Sequence, residues 1–94
     1  MSNDIKRLDE IGVIIVDYKM PDLNGIELFR EIKNISAKKI LLTGEADTPE
    51  AIMAFNEGII DRYIRKDTEN LHAVLSNFIK SLSHEYFSDI TKNL

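Results

Sequence analysis

A chain of 94 residues with a formal net charge of -4 and a pI near 5.1 leaves room for one small domain, and its acidic balance speaks against a nucleic-acid surface, which needs a basic face to neutralise phosphates. It contains no cysteine, so neither a disulfide nor a thiolate metal site is available. The polar opening MSNDIKRLDE has no signal-peptide core, and no apolar run approaches the ~20 residues of a membrane span; a soluble, cytoplasmic protein without a membrane partner is expected.

In chain order, the first apolar run is Ile11–Val16, rich in β-branched residues and ended by Asp17, which predicts a strand. IELFREIKNI follows, with Ile26, Phe29 and Ile32, and with Leu28 and Ile35, at helical spacing behind a candidate N-cap, Asn24. Lys39–Leu42 with Thr43 predicts a second strand. DTPEAIMAFNEG predicts a second helix: Pro49 suits its first turn, Asp47 or Thr48 its cap, Ile52 and Phe55 face one way, and Gly58 sits where it stops. Ile59–Ile64 predicts a third strand. A long helix then runs from Thr68 to about Asn93, with Leu71, Leu75, Phe78, Leu82, Tyr86 and Ile90 as its apolar stripe.

The order β-α-β-α-β-α with apolar strands predicts an α/β fold, a parallel sheet of about three strands flanked by helices. Ligands of such sheets sit at the carboxyl ends of the strands. Asp17, Thr43 and Lys66 fall there. The trio suits phosphoryl transfer to a carboxylate: Asp17 as nucleophile, Lys66 as a fixed positive charge, Thr43 as hydrogen-bond donor to a phosphoryl oxygen. No His, Ser or Cys nucleophile lies near the strand ends, which disfavours an enzyme with turnover.

These residues resemble a known family. Asp17, Met20, Pro21 and Gly25 are similar to the D-x-x-M-P-x-x-x-G signature of response-regulator receiver domains of two-component signalling. Thr43 with Gly44 resembles that family's switch threonine and its small neighbour. Gly58, Ile59, Asp61, Tyr63 and Lys66 resemble its final strand. The resemblance implies a flavodoxin-like sheet and a phosphorelay role in which a sensor histidine kinase or phosphotransfer protein loads Asp17. It further implies Lys66 as the phosphate-pairing lysine, Thr43 and Tyr63 as switch residues, and Mg²⁺ on Asp17 and the Lys19 backbone carbonyl.

Two departures accompany it. Asp67 stands where the family usually has a proline, and is expected to cap the last helix. The family's opening strand with its acidic pair is not found before Ile11; residues 2–10, with Ile5 and Leu8, read as part of the helix preceding Ile11–Val16. The expectation is therefore a truncated sheet with an incomplete Mg²⁺ site. Glu45 and Asp47 read as a solvated acidic loop rather than substitute ligands. Lys19 and Glu45, two residues beyond Asp17 and Thr43, are placed to screen an acyl phosphate from water. His72 and His84, twelve apart on one helix, are expected to be exposed and to share no metal.

An apolar strand without neighbours on one side recruits another chain. Self-association through the Ile11–Val16 edge or the C-terminal helix is the corresponding expectation. The helix exceeds what a small sheet needs, about 40 Å at 1.5 Å per residue. Its far half, with Leu82, Tyr86, Phe87 and Ile90, is expected to have nothing in this chain to pack on. Residues 1–67 then form a partial receiver core, and 68–94 the last receiver helix extended as a linker or dimerisation helix. The rival reading is a degenerate, phosphorylation-independent oligomerisation or interaction module.

Overall fold

The computed structural model describes residues 12–92; the helical reading of residues 2–10 and the expected start of the first strand at Ile11 lie outside them. Three parallel strands form one sheet in the order β1-β2-β3: β1, Val13–Asp17; β2, Lys38–Thr43; β3, Arg62–Arg65. Val13 pairs with Lys38 and Asp17 with Leu42, while Ile40 pairs with Arg62 and Thr43 with Arg65. Three α-helices connect and cover the strands: α1, Gly25–Glu31; α2, Thr48–Asn56; α3, Leu71–Lys92.

Alternation along the strands sends successive side chains to opposite faces. Ile14, Val16, Leu41 and Tyr63 pack with Ile26 and Phe29 of α1 and with Ala51 and Ala54 of α2. Val13, Ile40, Leu42 and Ile64 pack on the other face with Leu71, Val74, Leu75, Phe78 and Leu82 of α3. Phe29, Ile40 and Leu41 are 0% exposed. Burial of such side chains contributes about 1.5–3 kcal/mol each.

The helix starts follow local chemistry. Asn24 caps α1 as expected, its side chain accepting from the Glu27 N–H at 2.8 Å. Pro49 lies in the first turn of α2, but the Asp47 side chain at the N-cap position makes no capping bond. Instead, Asp47 Oδ2 and Thr48 Oγ1 are buried without a hydrogen-bond partner among the described residues. The acidic loop is thus only partly solvated: Glu45 is exposed, Asp47 half-buried.

Several expectations are corrected. The apolar face of α2 is not that of Ile52 and Phe55, which are 43% and 44% exposed, but that of Ala51 and Ala54. Ala51 and Ala54 are the α2 residues that pack in the core with Ile26, Phe29 and Leu41. The third strand begins at Arg62, because Asp61 is tied to the start of β2: its N–H donates to the Lys39 carbonyl at 2.8 Å, and its Oδ2 accepts from the Lys39 N–H at 2.7 Å. Ile59 and Ile60 are buried in the core ahead of that strand.

The last helix begins at Leu71 rather than Thr68, and 22 residues make it about 33 Å long. Its far half does pack on this chain. Leu82 is 1% and Tyr86 4% exposed, the Tyr86 ring lies beside Gly12, and Lys38–Asp89 and Arg62–Glu85 ion pairs at 3.2 and 3.5 Å join it to β2 and β3. Only Phe87 and Ile90 of that group remain outside, at 58% and 41% exposed.

Lys39 is the unusual core residue. Its Nζ donates to the Ile35 and Ala37 carbonyls at 2.7 and 2.9 Å, in the segment that joins α1 to β2. Burial lowers its pKa, with nearby Asp61 opposing the shift.

Candidate phosphoryl-acceptor site

The three strands end side by side, so the chain positions that follow them meet at one edge of the sheet. The Asp17 carboxylate and the Lys66 ammonium lie 2.6 Å apart, with side chains 42% and 45% exposed. The other carboxylate oxygen accepts from the Lys19 N–H at 3.1 Å. The Lys66 hydrogen bond, with smaller help from Lys19, outweighs desolvation and holds the Asp17 carboxyl below its ordinary pKa. Asp17 is therefore a carboxylate at neutral pH, the form a nucleophile requires.

The backbone fixes this carboxylate more firmly than its exposure suggests. The Tyr18 N–H donates to the Leu42 carbonyl at 2.8 Å, and the Gly25 N–H returns to the Tyr18 carbonyl at 2.7 Å, closing the segment between them over the strand end. A Cβ at Gly25 would lie 2.7 Å from both the Asp17 carbonyl oxygen and Leu41 Cδ1. Glycine is needed here for close approach, which accounts for its place eight residues after the acid.

Thr43 is 0% exposed, and its hydroxyl donates to the Ile64 carbonyl at a long 3.5 Å. The Lys66 N–H donates to the Thr43 carbonyl at 2.9 Å, tying the lysine to the strand that carries the threonine. Tyr63 is half-buried on β3, its ring edge-on to Phe55 at 6.3 Å. All of the expected residues thus lie on or just beyond adjacent strands, and Asp17 and Lys66 are in direct contact.

Sequence reasoning missed a second ionic cluster beside the first. Arg65 grips Asp67 through two bonds, Nε to Oδ1 at 3.0 Å and Nη2 to Oδ2 at 2.6 Å, and reaches Glu45 at 3.8 Å. Asp67 is consequently not the helix cap it was expected to be: the Thr68 N–H closes a turn on the Arg65 carbonyl, and the helix follows only after Asn70. The signal was the Arg-Lys-Asp run, in which residues two apart flank the lysine. His72 and His84 are both exposed, as expected.

Among the described residues no three His, Cys, Asp or Glu side chains are grouped to hold a metal. The oxygen donors expected there are the half-exposed Asp17 carboxylate and the carbonyl of Lys19, whose own N–H donates to that carboxylate. In kind they fit Mg²⁺, which takes one or two carboxylates and keeps several waters.

The sheet, its helices and this edge define a class, and comparison with known proteins identifies it. The response regulator receiver domain profile matches residues 3–76, and the chain belongs to that family, the receiver modules of two-component response regulators. The transcriptional regulatory protein FixJ of Rhizobium meliloti (strain 1021) is 38% identical over 61 residues, 63% of this chain and 29% of FixJ. The Legionella pneumophila response regulator LqsR superposes with a TM-score of 0.84 at 37% identity, over 96% of this chain and 34% of that one. A response regulator receiver domain protein from Clostridium thermocellum superposes at 0.70 with 34% identity, over 89% and 69%. The chain spans about a third of the length of FixJ and LqsR. No described helix is long and apolar enough to cross a membrane.

Proposed function

We propose that this receiver domain accepts a phosphoryl group on Asp17 from a sensor histidine kinase or phosphotransfer protein and signals through β3 and α3 in the cytoplasm. The Asp17–Lys66 contact of 2.6 Å carries the reading. A carboxylate oxygen of Asp17 attacks phosphorus, the bond from phosphorus to the donor atom breaks, and its electron pair leaves with the donor. Lys66 shifts from the carboxylate to the incoming phosphoryl oxygens, and Thr43 turns its hydroxyl from the Ile64 carbonyl toward one of them. Tyr63 then re-seats in the space that Thr43 vacates, biasing a two-state equilibrium at the β3 and α3 surface. Asp17 and the Lys19 carbonyl are the residues to hold Mg²⁺, which supplies charge neutralisation of the phosphoryl oxygens when bound. Lys19 and Glu45 flank the acyl phosphate and limit access of water.

Incubation with acetyl phosphate and Mg²⁺ tests this directly. A mass gain of one phosphoryl group is expected for the parent protein and none for Asp17→Asn; equal labelling of both would exclude Asp17.

A second reading, a phosphorylation-independent interaction module, is favoured by the apolar side chains left exposed on β1 and α3, Ile15, Phe87 and Ile90. Self-association would use the β1 edge, where Ile15 is 40% exposed, or the Phe87 and Ile90 surface of α3, with residues 68–94 as linker or dimerisation helix. Beryllofluoride with Mg²⁺ separates the readings. A rise in Tm supports the phosphoacceptor, since a ligand of the folded state stabilises it, and an unchanged Tm supports the module.

A further inference from the structure

A cleft of about 240 Å³ opens between α1 and α2, lined by none of the residues proposed for phosphoryl transfer. Its apolar lining comes from Ile26, Ala54 and Met53, with Tyr18 among the residues that bound it. Met53 is 62% exposed, the most exposed of the large apolar side chains among the described residues. The charges around the cleft are unequal. Glu27, Glu50 and Glu57 line it against a single cation, Arg30, and Arg30 is already committed to Glu57 at 2.9 Å. Among the described residues neither Glu27 nor Glu50 forms a salt bridge. The acids are felt at Tyr18, whose hydroxyl is held above its ordinary pKa by burial and then by Glu50, Asp47 and Glu27.

Size and charge together restrict the occupant. Pockets for drug-sized molecules run to about 300–1,000 Å³, so this cleft suits one long side chain or two short ones rather than a whole metabolite. An apolar floor beneath two unpaired carboxylates complements a side chain with a hydrocarbon stem and a cationic head. We infer that the cleft between α1 and α2 docks a partner protein segment presenting a lysine or arginine beside an apolar residue, the cation meeting Glu27 and Glu50 and the apolar atoms covering Met53. Tyr18 directly follows Asp17 in the chain, and its amide and carbonyl carry the turn that fixes the strand end. Occupancy of the cleft is thereby linked to the acceptor site, and by linkage each biases the other.

The probe is an amphipathic Leu/Lys helical peptide, with a Leu/Gln peptide of the same length as the uncharged control, titrated into the unphosphorylated full chain by NMR. The Leu/Lys peptide is expected to shift the Met53 methyl and Tyr18 ring signals. Glu27→Gln with Glu50→Gln should raise its Kd at least tenfold, whereas the control pair Glu31→Gln with Glu69→Gln, which removes the same charge elsewhere, should change it less than twofold. Met53→Arg, which supplies the cleft with its own cation, should abolish binding while amide dispersion shows the fold intact. Equal losses in the two charge-matched pairs would reduce the effect to net charge and overturn the proposal. So would equal binding of the Leu/Gln peptide, shifts confined to other surfaces, or no binding at all. Because Asp17 takes no part, failure here leaves the phosphoacceptor reading standing.

Discussion

β1 and β2 are both parallel strands that end on a residue of the site, yet they are held differently. β2 is bonded on both sides, and Ile40, Leu41 and Thr43 are 0% exposed. Among the described residues β1 is bonded on one side only, Ile15 is 40% exposed, and Asp17 stands half in solvent beside Lys66. The central strand therefore positions Thr43 by packing, while the edge strand positions Asp17 by the Tyr18 and Gly25 hydrogen bonds and one ion pair. The residue proposed to receive the phosphoryl group is accessible, and the one proposed to respond is enclosed. Accessibility and packing are divided between the two strands by their place in the sheet.

The largest break in that comparison comes from truncating matched positions. Ile40→Ala removes a side chain packed under Leu82 and Ile64 and should destabilise the domain by about 2–5 kcal/mol, whereas Ile15→Ala should cost about 1 kcal/mol or less because much of its surface is already wet. Urea unfolding of the two variants reads the difference, and equal costs would show β1 to be as enclosed as β2.

Gly25→Ala probes the hydrogen-bonded support of the edge strand. Its Cβ would meet the Asp17 carbonyl oxygen and Leu41 Cδ1 at 2.7 Å, so overpacking of about 1–3 kcal/mol is expected, together with slower acetyl phosphate labelling of Asp17. Wild-type stability and labelling would show that the turn yields freely.

The smallest effect is that of pH on the ion pair. Because the folded-state pKa of Asp17 is depressed, its contribution is fully present above the ordinary aspartate value and is lost as pH falls from there through the folded-state value. Lys66→Met should remove that acid-range dependence. The difference in stability between wild type and Lys66→Met, followed through acid, should shrink below the ordinary aspartate pKa. A difference that stays constant would mean that the pair contributes nothing specific. Both side chains are nearly half exposed, and solvent screening keeps this term below the other two.

Much of the fold was legible because local signals agreed with one another. Apolar β-branched runs, an Asn24 cap, Pro49 in a first turn and Gly58, whose φ of +79° is one that glycine adopts freely, marked elements at nearly their observed places. The site was legible for a related reason: residues at or just after the ends of successive parallel strands must share an edge, so Asp17, Thr43 and Lys66 could be grouped from their order alone. Side chains that answer to partners distant in the chain were less so. Ile52 and Phe55 look like a core face by hydrophobicity, but α2 turns Ala51 and Ala54 to the core and leaves those two 43% and 44% exposed. Asp67 looks like a cap by position, but Arg65 two residues earlier holds it with both oxygens.

The alternation of strands and helices, the parallel sheet and the acid-hydroxyl-ammonium edge follow from the chain alone, since they depend on periodicity and on residue order. Which helix face is buried, the return of the far end of α3 over Gly12 and β2, and the bonding of the Lys39 ammonium to the carbonyls after α1 emerge only in the folded chain. Those outcomes depend on distances between segments far apart in sequence, and the burial of one side chain there is set by the size and charge of another.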